Sequence, residues 1–117
     1  MRKPPLQRSF ANAARGIVWI FRNERNFQIE FLALLSNIFL IFYFQVSPAE
    51  AAIIILVCFA VLSLELLNTC LEKICDVVQP EFDSRIKIIK DVAAGSVFLM
   101  AIAAIIIGFL IYPKYVF

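Results

Sequence analysis

Histidine is absent from this 117-residue chain, and glycine occurs only three times, as Gly16, Gly95 and Gly108. Without histidine there is no Ser-His or Cys-His pair to activate a nucleophile. With glycine so sparse there is no G-x-x-x-x-G-K-[ST] phosphate loop and no glycine-rich kinase loop. The three cysteines, Cys58, Cys70 and Cys75, lie in one segment without a C-x-x-C pair. Neither a disulfide framework nor a thiolate metal cluster is expected from them, and they read as small apolar packing residues. Charge is scarce too: 17% of residues carry it and the net is +2, which gives no reason to expect a nucleic-acid partner.

What the chain has in quantity is apolar surface. Hydrophobic residues make up 62% of it, against roughly 45–50% in a soluble domain. A chain this short leaves much of itself facing water, so an ordinary soluble globule does not fit and an integral membrane protein does. Three stretches free of charge stand out: Phe31 to Ala49, Ala51 to Leu64 and Val92 to Pro113. A membrane helix needs about 20 mostly apolar residues, so the middle stretch qualifies only if it continues through Glu65 to Leu71. The expected architecture is a single all-α domain over 1–117. It has an interfacial helix over about 6–25 and membrane helices over about 28–46, 50–78 and 86–112. Ser47 and Pro48 suit a helix start, Pro80 ends the second span, Asp83 or Ser84 caps the third, and Pro113 closes it.

Ten basic residues (Arg2, Lys3, Arg8, Arg15, Arg22, Arg25, Lys73, Arg85, Lys87 and Lys90) fall on one side of this arrangement, and only Lys114 falls on the other. That asymmetry puts the N-terminus and the second loop in the cytoplasm. A cleaved signal peptide ending near Ala49 is the rival reading of the first span, but the apolar stretch is too long and its leader too extended. Before that span, Leu6, Phe10, Ala13, Ile17 and Phe21 share one helical face, with Arg8, Arg15 and Arg22 opposite. Such a helix lies in the membrane interface, its arginines toward anionic headgroups or a phosphorylated ligand, or serving only as an anchor.

Charged groups inside a span are costly and need a reason. Glu65, Asn68, Thr69, Glu72 and Asp76 fall within roughly 100° of helical arc. Glu65 lies about 10 Å deeper than Glu72 at 1.5 Å per residue. Interhelical hydrogen bonding accounts for Asn68 and Thr69, but two glutamates and an aspartate on one face repel unless a cation sits between them. An oxygen-only acidic set suits Mg²⁺, which is commonly held by one or two carboxylates and substrate phosphates. Glu24 reaches the same depth from the first span. Lys90 and Asp91 enter the third span beside Ala93, Ala94 and Gly95, where backbones can approach closely. Phosphoryl transfer depends mainly on positioning and charge neutralisation, so side chains at helix ends can support it.

Glu65-Leu-Leu-Asn-Thr-Cys-Leu-Glu72-x-x-x-Asp76, followed by Lys90-Asp91-Val-Ala-Ala-Gly95, resembles the signature of the prokaryotic diacylglycerol kinase and undecaprenol kinase family. Asn23-Glu24-Arg-Asn-Phe27 resembles that family's first acidic motif, and the likeness covers roughly residues 5–112. It implies a small trimeric inner-membrane kinase that uses MgATP to phosphorylate a lipid hydroxyl, with sites shared between subunits. Residue by residue, it implies that Glu24 and Glu72 hold the metal, Glu65 is the general base, and Asn68 places phosphate or metal. It further implies that Lys90, Asp91 and the loop residue Glu81 contact nucleotide, while Asp76 has no assigned role. Cys70 and Lys73 depart from the commoner pattern, and Gln28-Ile29-Glu30 follows the first motif where members vary. Asn68-Thr69 and the Asp-Val-Ala-Ala-Gly run resemble the undecaprenol branch more than the diacylglycerol branch. Two other functions fit parts of the sequence: a non-enzymatic membrane assembly subunit, and a small cation transporter lined by Glu65 and Glu72. The apolar outer halves of spans two and three favour a one-sided cytoplasmic site over a conduit.

Overall fold

The computed structural model describes residues 5–117; Arg2 and Lys3, counted above on the cytoplasmic side, lie outside the described residues. The chain forms α1 (Leu6–Asn23), α2 (Arg25–Phe44), α3 (Pro48–Val78), α4 (Ser84–Ile111) and a single-turn α5 (Pro113–Val116). Three segments are long and apolar enough to cross a membrane: Arg25–Phe44, Pro48–Val78 and Ser84–Val116. The chain is a multi-pass, all-helical membrane protein.

Each helix end has a local cause. The break between α1 and α2 is one residue wide: Glu24 is extended at φ −117° and ψ 115°. Gln28 Nε2 donates to the Phe21 carbonyl at 2.8 Å, so a side chain satisfies a carbonyl that the interrupted helix leaves free, and Asn23 Nδ2 adds a bond back to the Trp19 carbonyl at 2.8 Å. Helix α2 stops where Gln45 turns left-handed at φ 52° and the Val46 amide bonds back to the Ile41 carbonyl at 3.0 Å, a closure that satisfies the last carbonyls of a helix. Ser47 accepts from the Glu50 amide to start α3, with Pro48 in its first turn. Asp83 starts α4 by accepting from the Arg85 amide at 2.8 Å. The Arg85 guanidinium also bonds that carboxylate and, with the backbone bond, holds it below its ordinary range.

Helix α3 is the centre of the bundle, packed against α2 on one side and α4 on the other. Its 31 residues span about 46 Å at 1.5 Å per residue, well beyond a hydrocarbon core of about 30 Å. Its C-terminal turns therefore reach past the apolar layer and carry Glu72 and Asp76 with them. Two apolar clusters hold the helices together. Ile20, Phe27, Leu34 and Leu62 join α1, α2 and α3 at one level. Ile41, Val46, Ile54 and Ile111 join α2, α3 and α4 at the other end. Phe21 meets Phe27 and Phe31 edge-on, and the Lys73 ammonium lies 5.5 Å from the Trp19 ring centre, tying α1 to α3.

Several expectations are corrected here. Helix α4 does end at Ile111, just before Pro113, but the chain then turns at Tyr112 and forms the single-turn α5 from Pro113. Cys58 is half-buried and Cys75 buried, but Cys70 is exposed, because it lies on the face of α3 away from both neighbours. Gly95 has no atom within 4 Å of where a Cβ would stand, so within one chain it serves no close approach. The end of the bundle that carries the α2–α3 turn is more polar than expected. The Tyr112 hydroxyl donates to Asn37 Oδ1 at 2.6 Å, and the Tyr115 hydroxyl donates to Glu50 Oε1 at 2.6 Å while accepting from the Ser47 amide. Lys114 pairs with Glu50, so the one basic residue on that side is neutralised locally. The apolar face of α1 is largely uncovered, with Leu6 73% and Phe10 69% exposed.

Candidate functional site

Glu65, Asn68 and Thr69 are the buried polar side chains of α3, 4%, 6% and 4% exposed. The inward face of the helix thus carries the deepest part of the polar stripe into the bundle. Asn68 Nδ2 donates to Glu72 Oε1 at 3.2 Å, one turn on, and orients that half-buried carboxylate. Glu72 and Glu24 both lie near enough to act on the Glu65 charge, and the Glu30 carboxyl lies directly against it. Glu24 at the α1–α2 elbow, Glu30 in the first turns of α2 and Glu72 two turns along α3 therefore all lie near the buried Glu65.

They do not converge on a single point. Among the described residues, no three His, Cys, Asp or Glu side chains gather closely enough to hold an ion by themselves. Unmet polar capacity remains in the same place: Glu30 Oε2, Asn68 Oδ1 and Thr69 Oγ1 are buried with no hydrogen-bond partner. A buried polar atom left unpaired is costly, so this set fits a ligand that brings its own polar groups. An all-oxygen site of that kind suits a hard cation bound together with phosphates, which supply the ligands that the protein does not.

A family model described as prokaryotic diacylglycerol kinase matches residues 11–112. The chain belongs to the prokaryotic diacylglycerol kinase family. The kinase is 40% identical over 108 residues to an undecaprenol kinase of Bacillus subtilis, a match that covers 92% of this chain and 88% of that protein. It is 38% identical over 106 residues to a diacylglycerol kinase of Synechocystis, covering 90% of this chain and 61% of the relative. By family, then, this is a membrane-embedded lipid kinase, with ATP as co-substrate.

The remaining sequence-predicted residues divide between two places in the kinase. Lys90 enters α4 beside the end of α3, and its Nζ lies 2.6 Å from Asp76 Oδ1, so the residue without an assigned role is the resting partner of this lysine. Glu81 is exposed in the α3–α4 turn. It lines a hollow of about 290 Å³ together with Asp76, Phe82, Asp83, Lys87 and Lys90. Asp91 does not line that hollow: it is exposed and paired with Lys87, one turn earlier and on the rim of the hollow, at 2.6 Å. In a single chain the structure thus joins Glu24, Glu65, Asn68 and Glu72, and separately Glu81 and Lys90.

Glu30 is the residue that sequence reasoning passed over. Its signal was the helical spacing of α2. Glu30 is three residues after Phe27 and four before Leu34, both buried at the α1–α2–α3 junction, so it shares their inward face. A hollow of about 410 Å³ is lined by Ile17, Phe21, Phe31, Phe59, Leu62 and Leu66 among others, apolar except at Ser63; Glu30 itself lines a different hollow, of about 320 Å³, with Asn37, Val61, Ala101 and Ala104.

Proposed function

We propose that this kinase transfers the γ-phosphoryl group of MgATP to the terminal hydroxyl of a membrane lipid, undecaprenol in preference to diacylglycerol. One observation carries the reading: a buried carboxylate, Glu65, stands among neighbouring acidic groups and unpartnered buried oxygens, on a stretch of α3 whose Leu62 and Leu66 line an apolar hollow. The hollow suits a hydrocarbon chain, and the acidic groups suit a metal-bound triphosphate. The preference for the polyprenol is supported by the likeness to the Bacillus protein and by the Asn68-Thr69 and Asp91-to-Gly95 runs.

The residues take the following parts. Glu65 accepts the proton of the lipid hydroxyl as its oxygen bonds to the γ-phosphorus and the bridging bond to ADP breaks. Burial in a medium of low dielectric suits a carboxylate to that task. Glu24 and Glu72 are the residues to hold Mg²⁺, which supplies positive charge to the phosphates when bound. Asn68 fixes Glu72 and presents its free oxygen to the same region. Lys90 leaves Asp76 to meet a phosphate, and Glu81 and Asp91 contact the nucleotide at the mouth of the turn. The kinase acts in the bacterial cytoplasmic membrane with its N-terminus inside, where ATP is. It acts as a homotrimer, because three thin helices are too few to enclose both ATP and a lipid within one chain.

The test is transfer of labelled phosphate from ATP to undecaprenol and to diacylglycerol in mixed micelles. Mg²⁺-dependent label on the lipid, with the higher kcat/KM on undecaprenol, is the expected result. A folded preparation that labels neither alcohol overturns the proposal, and a preference for diacylglycerol overturns its substrate.

A further inference from the structure

Thr69 is 4% exposed and its hydroxyl has no hydrogen-bond partner. A threonine inside a helix ordinarily settles its hydroxyl on the carbonyl four residues earlier. Here that carbonyl belongs to Glu65, and the bond is not made. Nor does any side chain of α1, α2 or α4 take the hydroxyl, so it does not serve as glue between helices in this chain. Its position is specific. Thr69 follows Glu65 by one helical turn, on the same inward face and about 6 Å nearer the cytoplasmic end. It also follows Leu66 by three residues and Leu62 by seven, and both leucines line the apolar hollow. Residues at those spacings share a face. Thr69 therefore lies on the side of α3 that carries the leucines of the hollow, one turn beyond Glu65.

Resting on the lipid-kinase reading, we infer that Thr69 is a positioning residue for the acceptor alcohol. Its hydroxyl donates a hydrogen bond to one lone pair of the alcohol oxygen. The second lone pair is left to form the bond to phosphorus while the alcohol proton passes to Glu65. A lipid held only by its hydrocarbon chain would be free to slide along the hollow. A fixed donor one turn from the base sets the depth at which the hydroxyl stops. Without a bound alcohol the Thr69 hydroxyl stays unsatisfied, as it is here.

The experiment compares Thr69→Val, which keeps the shape and removes the hydroxyl, with Thr69→Ser, which keeps the hydroxyl. Kinetics are measured for both substrates on preparations shown to be folded by thermal unfolding in detergent. The expected result is that Thr69→Val lowers kcat/KM for the lipid about 3- to 10-fold, the worth of one neutral hydrogen bond. KM for ATP stays unchanged, and Thr69→Ser restores the lipid value. If Thr69→Val matches the parent, or if Ser fails to rescue and KM for ATP moves with that for the lipid, the inference fails. If Val does not fold, Thr69→Ala is read against Ser in the same way. Failure of the parent enzyme to phosphorylate any lipid alcohol is a separate result that removes the kinase reading itself.

Discussion

Replacing Glu65 by Gln changes one charge and almost nothing else. The amide has the volume of the carboxylate, so no cavity opens at a position 4% exposed, and the usual penalty of a core substitution is absent. The change takes one negative charge out of the group formed by Glu24, Glu30, Glu65 and Glu72. It also provides an N–H donor against Glu30, whose Oε2 is buried without a partner. Resistance to unfolding should therefore hold or rise. The lipid alcohol, by contrast, loses its proton acceptor, and a positioned general base contributes about 10²- to 10⁴-fold, or ~2.7–5.4 kcal/mol of barrier at ~1.36 kcal/mol per decade. The assay is initial-rate phosphate transfer at saturating ATP and lipid, run beside an unfolding titration of the same preparations. A loss of rate with undiminished stability supports the reasoning. A folded Gln variant within about threefold of the parent rate refutes it, because that difference lies below the range for a general base.

Three further outcomes follow from individual contacts. Lys90→Met removes the cation that rests on Asp76 at 2.6 Å and should raise KM for ATP at least several-fold, with KM for the lipid unaltered in the same assay. Ser63→Trp places a large ring at the one polar position of the apolar hollow; lipid KM should rise and ATP KM should not. Tyr112→Phe deletes the 2.6 Å hydrogen bond to Asn37 at the outer end. It should lower stability in an unfolding titration by ~0.6–1.7 kcal/mol, the range for such bonds between membrane helices, with turnover unaffected.

Much of this molecule was legible because two periodicities carry it. Charge-free stretches mark the helices, and the spacing of Glu65, Asn68, Thr69 and Glu72 fixes a single inward stripe on α3 whatever its neighbours are. What escaped were contacts between side chains distant in sequence. Glu30 and Glu65 are 35 residues apart, and only the packing of α2 on α3 brings them together. Lys114 and Glu50 meet across 64 residues, so the one basic residue on the outer side gave no hint of being neutralised. Lys90 reads from sequence as a free cation awaiting phosphate; in the structure it rests on Asp76, because α4 enters beside the last turns of α3. Asp91 follows Lys90 directly, yet successive helical residues point about 100° apart, and it pairs with Lys87 on the exposed side instead.

The central claim is that the carboxylates at the inner end of α3 exist to hold a divalent ion together with a triphosphate. Mn²⁺ binding followed by electron paramagnetic resonance, with and without a non-hydrolysable ATP analogue, tests it most directly. Tight binding is expected only when the nucleotide is present, because no three acidic groups among the described residues converge on one ion, and a weakening of about tenfold or more is expected in Glu72→Gln, of the order seen when a metal site loses part of its support. Binding that is the same without nucleotide, or the same in Glu72→Gln, would contradict it.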